Sequence, residues 1–162
     1  MAKTNIPDRS EVAAQADTGE IERVVAFYLS GQRYALPIGR VREIQQIVAL
    51  SDVPEGVNGV VGMVNLRGQV IPAVDMRRLV GLEVREYTLE TPMVITEIHG
   101  RVVALLVDEV EDVLDVPEGA TQEAPPLHQL SGSMIGVVRL ADGLVYVLDP
   151  DRLVGMDLLE RA

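Results

Sequence analysis

Cysteine and tryptophan are absent from this 162-residue chain, which carries one phenylalanine and two histidines. Without Cys there is no disulfide framework, thiol nucleophile or thiolate metal site, which fits a reducing compartment such as the cytoplasm. Positive charge is also scarce: 14 Lys and Arg face 25 Asp and Glu, for a net charge of -11. Such a surface repels phosphate backbones and anionic lipid, so nucleic acid is excluded as a partner class. Long apolar runs are missing too. Stretches such as Val102 to Val107 are of strand length, far below the roughly 20 residues that span a bilayer, so no membrane insertion is expected. Residues 1–20 hold no apolar stretch able to serve as a signal-peptide core and read as a disordered tail, with 157–162 as a short C-terminal tail.

What the chain does have is β-branched apolar residues. There are 26 Val and nine Ile, within a hydrophobic content of 48%. These side chains favour strands and are ample for a core. Short Val- and Ile-rich runs alternate with turn signals from Ile21 onward, the pattern of a small all-β barrel or sandwich. Strands are expected over Glu22–Ser30, Arg33–Pro37, Glu43–Ala49, Val60–Leu66, Val70–Val74, Pro92–Ile98, Val102–Val107, Val110–Val116, Met134–Leu140 and Leu144–Leu148. Gly31-Gln32, Arg67-Gly68, His99-Gly100 and Asp142-Gly143 are the candidate hairpin turns, each with a Gly able to adopt positive φ.

The chain also resembles itself. At an offset of 74 residues, Gly62, Val64, Leu66, Asp75, Arg78, Leu79, Val80 and Gly81 find identical partners from Gly136 to Gly155. At an offset of 69, Gly31, Ala35, Leu36 and Val41 match Gly100, Ala104, Leu105 and Val110. Asp75 and Asp149 each follow an apolar strand and suit the N-cap of one short helical turn. The expected architecture is two five-stranded barrels related by internal duplication, with short helical caps. The first spans about residues 21–88 and the second about 89–156. Barrels of this size are marginal alone, so they should pack through a shared apolar seam, which also offers a groove.

Chemistry is harder to find. His99, at a hairpin tip, and His128, in a loop, have no nucleophile or metal-ligand partner at useful spacing and read as surface residues. The glycines at 56, 59 and 62 lack a following Lys-Ser or Lys-Thr and read as turns. The carboxylates Asp108, Glu109, Glu111, Asp112 and Asp115 alternate with valines and read as a solvated strand face rather than a cation site. No enzyme activity, cofactor or metal is expected. In the run Val60 to Asp75, polar Asn65 and cationic Arg67 interrupt apolar strands at a turn. Arg67 there is either solvated or a recognition element, its planar fork suited to a carboxylate on an acidic helix.

This last segment resembles the CheW family of chemotaxis coupling proteins, whose hallmark is Asn-Leu-Arg-Gly, an apolar strand and Asp, here Asn65–Gly68 and Val70–Asp75. Phe27, the run Gln32–Ile38, Val41–Ile44, Gly62, the segment Val107–Val110 and the run from Gly136 to Asp149 are similar to the family in order and spacing. The resemblance covers roughly residues 22–155. It implies two SH3-like five-stranded barrels and a non-catalytic adaptor, cytoplasmic and recruited to membrane-associated receptor arrays. The implied partners are the regulatory domain of a chemotaxis histidine kinase and the cytoplasmic tips of methyl-accepting chemoreceptors, with a monomer as the isolated state. It further implies that Arg67 and Glu43 face the receptor, with Asn65, Val41 and Val113 as neighbours, and that Pro126 and Leu127 contact the kinase. Two alternatives stand beside this reading: a scaffold of the same fold in another chemosensory pathway, such as surface motility or gene regulation, and a small β-barrel protein binding a metabolite between its barrels.

Overall fold

The computed structural model describes residues 22–47, 60–126 and 130–155. In these segments the chain forms β1 (Arg23–Leu29), β2 (Gln32–Pro37), β3 (Val41–Gln46), β4 (Val60–Leu66), β5 (Gln69–Asp75), β6 (Pro92–Ile98), β7 (Arg101–Leu106), β8 (Glu109–Asp115), β9 (Thr121–Gln122), β10 (Met134–Leu140) and β11 (Gly143–Leu148). Two four-residue helices, α1 (Met76–Leu79) and α2 (Pro150–Leu153), cap the ends of β5 and β11. The ten expected strands are present. β3 starts two residues early and closes at Gln46, and the end of the expected strand at Val48 and Ala49 lies outside the described residues. β9 is additional: its Thr121-Gln122 has no apolar alternation to announce it.

All-β class and duplication hold, with strands in two sheets of order β8-β1-β2-β11-β10-β9 and β3-β6-β7-β5-β4. The expected division near residue 88 is corrected by this order. Hairpin β1–β2 joins the sheet built from β8 to β11, and hairpin β6–β7 joins the sheet built from β3 to β5. The reason lies in their burial: β1, β2, β6 and β7 are apolar on both faces, so they take central places with neighbours on both edges. The parallel pairs Ala35–Val147 and Ala104–Ala73 stitch each hairpin to the other half of the chain.

The repeat survives the exchange in detail. Offsets of 69 and 74 carry β3-β6-β7-β5-β4 onto β8-β1-β2-β11-β10. Bulges recur at equivalent places, at Arg42 and Glu111 and again at Val61 and Ile135. Asp75 Oδ1 accepts the Arg77 N–H at 2.8 Å, and Asp149 Oδ1 the Asp151 N–H at 2.9 Å, so both cap predictions hold. Two turns sit one residue earlier than expected, at Ser30-Gly31 and Ala141-Asp142. Ser30, Arg67 and His99 all have positive φ and each is followed by a positive-φ Gly. That is the mirror-image turn that matches strand twist.

Alternation divides the core into three. Phe27, Leu29, Tyr34 and Leu36 from one sheet meet Val94, Ile98, Val103 and Leu105 from the other in a central cluster. Val64, Ile71, Ile95 and Leu106 fill the inner face of the five-stranded sheet, and Val24, Ala35, Val138 and Val147 that of the six-stranded sheet. The expected seam therefore exists and its centre is closely packed: Phe27, Leu36, Ile98 and Leu105 are fully buried. Each such Val or Leu contributes about 1.5–3 kcal/mol.

Candidate functional site

The tip of hairpin β4–β5 is a two-residue turn, Arg67-Gly68, with φ of 51° and 86°. Asn65 stabilises it: its Oδ1 accepts the Gly68 N–H at 2.9 Å, a local bond that offsets the left-handed backbone forced on Arg67. The Arg67 side chain then reaches Glu43, with Nη1 donating to Oε1 at 3.1 Å and Nη2 to Oε2. Gln45 donates its side-chain N–H to the same Glu43 Oε1. β3 and β4 are the two outer strands of their sheet, so a contact between Glu43 on β3 and Arg67 beyond β4 requires the sheet to curl until its edges meet. The ion pair clasps that closure. It is exposed, with the Arg67 side chain 67% accessible against 28% for Glu43. The guanidinium of Arg67 holds the Glu43 carboxyl below its ordinary range, helped by Gln45.

Of the residues the sequence pointed to, Arg67, Glu43 and Asn65 come together here. Val41 lies at the start of the same strand, paired with Thr96 and packed against the central cluster. Val113 sits on β8, the edge of the other sheet, 40% exposed and paired with Val25. Ile44, its repeat equivalent at an offset of 69, is 44% exposed on β3. Pro126 is exposed in a turn after β9, and Leu127 lies outside the described residues, as does His128. His99 is not a free surface residue: its ring Nε2 lies 2.9 Å from the Val154 carbonyl and its N–H donates to Asp151.

The six-stranded sheet closes by a different device. Arg33, on central β2, donates to Glu111 on β8 at 3.2 Å and to Asp142 in the β10–β11 turn at 2.8 Å. Its side chain is 8% accessible. The Asp142 hydrogen bond, above all, holds the Arg33 charge, and Arg33 in turn depresses the Asp142 carboxyl.

A second polar group lies where the chain crosses between sheets. Arg77 on α1 donates Nε and Nη2 to the two oxygens of Asp108, each at 2.6 Å, and Nη1 to the Glu83 carbonyl at 2.9 Å. Asp108 also accepts the Ser30 N–H at 2.7 Å from the tip of β1–β2. Tyr87 donates to Asp75, the α1 cap. Burial, then this bond to a carboxylate, raises the Tyr87 hydroxyl above its ordinary range. These residues floor a cleft of about 380 Å³ rimmed by Arg85, Thr88, Glu90 and Pro92. The carboxylate run at β8 is thus not one solvated face: Asp108, just before the strand, is partly buried in an ion pair and Glu111 is held by Arg33, while Glu109, Asp112 and Asp115 are exposed. No sequence pattern announces Arg77, whose partner is 31 residues away.

The charged groups of these clusters are paired with one another, which is the arrangement of a scaffold whose polar groups hold shape. Among the described residues there is no group of three or more His, Cys, Asp or Glu able to hold a metal ion, and no helix long and apolar enough to cross a membrane. Fold and site define a duplicated two-sheet β-protein with one clasped, exposed arginine at a hairpin tip. The chain belongs to the CheW family: the CheW-like domain matches residues 23–157. It is 33% identical over 115 residues to the chemotaxis protein CheW of Rhizobium meliloti, covering 71% of this chain and 74% of that protein. With its Bacillus subtilis namesake it shares 28% identity over 153 residues, 93% of this chain and 97% of the other. The crystal structure of the scaffolding protein TtCheW from Thermoanaerobacter tengcongensis superposes with a TM-score of 0.75 at 27% identity, covering 83% of this chain and 92% of that one.

Proposed function

We propose that this chain is a non-catalytic chemotaxis adaptor that couples the cytoplasmic tips of chemoreceptors to the regulatory domain of a histidine kinase. One observation supports it most: Arg67 is held in a strained turn and oriented by a bidentate partner, yet two-thirds of its side chain faces solvent. A merely solvated arginine needs no such preparation, whereas a docking residue gains from lost side-chain freedom before binding. The receptor-facing surface is then Arg67 with Glu43 and Asn65, flanked by Val41 and, across the seam, Val113. A receptor helix supplies apolar anchors for affinity and meets Arg67 for orientation.

Pro126, exposed after β9, and its chain neighbour Leu127 are the residues assigned to the kinase contact. With the two partners on separate surfaces, a receptor shift biases the kinase through a rigid connector, a coupling free energy rather than a reaction. The same contacts recruit the protein from the cytoplasm to membrane-associated arrays. Calorimetric titration against a purified receptor cytoplasmic fragment and against the kinase regulatory domain tests this. Arg67→Ala is expected to weaken receptor binding about tenfold, the scale of one charge-assisted pair, while kinase binding stays unchanged. Receptor affinity unaltered by that substitution overturns the assignment of the site.

A further inference from the structure

Three of the ion-paired arginines grip a carboxylate with two nitrogens, and they use their guanidinium edges differently, in a way that leaves one edge open. Arg77 engages Asp108 through the side-on edge, Nε and Nη2, and spends Nη1 on Glu83. Arg33 meets Asp142 end-on through Nη1 and Nη2, and Nη1 also serves Glu111. Arg67 also pairs end-on, Nη1 and Nη2 to the two oxygens of Glu43. A guanidinium has five N–H donors in a fixed fork. Glu43 takes two of the five, one on each terminal nitrogen, so the side-on edge of Arg67, Nε–H with the second Nη2 hydrogen, remains available on a side chain 67% accessible.

Glu43 is not easily displaced to make room, because Gln45 holds its Oε1 and its carboxyl is kept ionised. We propose that Arg67 binds a partner carboxylate through this side-on edge while keeping Glu43 on its end-on edge, so that one guanidinium bridges an internal and an external carboxylate. The external group is an Asp or Glu on a helical partner. A net charge of -11 disfavours a polyanion. Val70, 59% exposed and paired with Asn65 beside the turn, offers an apolar contact to the carbons carrying a single carboxylate. Glu43 is then a positioning residue, and Gln45 positions Glu43.

This rests on the receptor-coupling reading, and the experiment separates the two. A purified chemoreceptor cytoplasmic fragment is titrated into the full chain and its Arg67→Lys variant, with the Arg67 Nε–H and Glu43 carboxyl signals followed by NMR. Lys keeps the charge but not the fork, so Arg67→Lys should bind about tenfold more weakly, nearly as poorly as Arg67→Ala. In the full chain the Nε–H signal should move downfield on binding while the Glu43 carboxyl signal stays where it is. Equal binding by Arg67→Lys, an unmoved Nε–H, or a shifted Glu43 carboxyl each overturns the bridging arrangement with coupling intact. Failure of the fragment to bind the unaltered chain overturns the coupling reading, and the bridge with it.

Discussion

Among the described residues three arginines make bidentate contacts with carboxylates, and burial decides what each contact does. Arg67–Glu43 is solvated and screened, so it adds little to stability. Arg77–Asp108 has both side chains at 13% accessibility or less, and removing one partner strands a buried charge. Arg77→Leu should therefore cost about 3–5 kcal/mol in urea unfolding, and Arg67→Leu should leave the unfolding midpoint nearly unchanged. Asp108 adds a pH dependence. Burial raises its carboxyl, but the bonds from Arg77 and the Ser30 N–H outweigh this and leave it below the ordinary range. Its stabilisation is complete above the unfolded-state pKa, about 3.9, and is lost as the pH falls through the lower folded value. The stability gap between the unaltered protein and Asp108→Asn should thus be full at pH 7 and shrink below about pH 4. A gap constant from pH 7 to pH 2 contradicts the pairing.

Strand positions were legible in the sequence because Val and Ile at period two, broken by Gly-containing turns, admit few alternatives; β4, β6 and β10 fell where expected to the residue. β9 was not, since Thr121 and Gln122 pair with Val138 and Val137 through backbone alone and carry no apolar signal. Its existence instead explains a glycine. A Cβ on Gly136 would lie 2.8 Å from the Gln122 carbonyl oxygen and 2.9 Å from Thr121 Cγ2, so β9 can approach β10 only over a bare Cα. Gly136→Ala should cost about 1–3 kcal/mol by overpacking and speed amide exchange along β9. Gly132→Ala, with nothing within 4 Å, should stay within about 0.5 kcal/mol. Within the candidate site, Asn65 and Arg67 stood out as polar breaks in apolar strands. Arg77–Asp108 did not, because a pair made across a crossover leaves no local period.

At the scale of the whole molecule, what stayed illegible was partnership: periodicity says that hairpins β1–β2 and β6–β7 are buried on both faces, but not which half buries them. The exchange makes each half of the chain incomplete. Residues 1–88 hold only β3, β4 and β5 of the five-stranded sheet, and their β1–β2 hairpin has its partners β8 and β11 in the other half. Residues 89–162 supply those partners and the β6–β7 hairpin that β3 and β5 need. The central cluster is divided in the same way, with Phe27, Leu36 and Met76 against Val94, Ile98 and Leu105. Two independently folding barrels would each unfold cooperatively alone, whereas exchanged hairpins leave both halves without a closed core. The fragments 1–88 and 89–162 should accordingly show no cooperative thermal transition by circular dichroism when separate, and regain one when mixed in equal amounts. A cooperative transition in either fragment alone would mean that its hairpin can close on its own half, and that the exchange is a preference rather than a requirement of the fold.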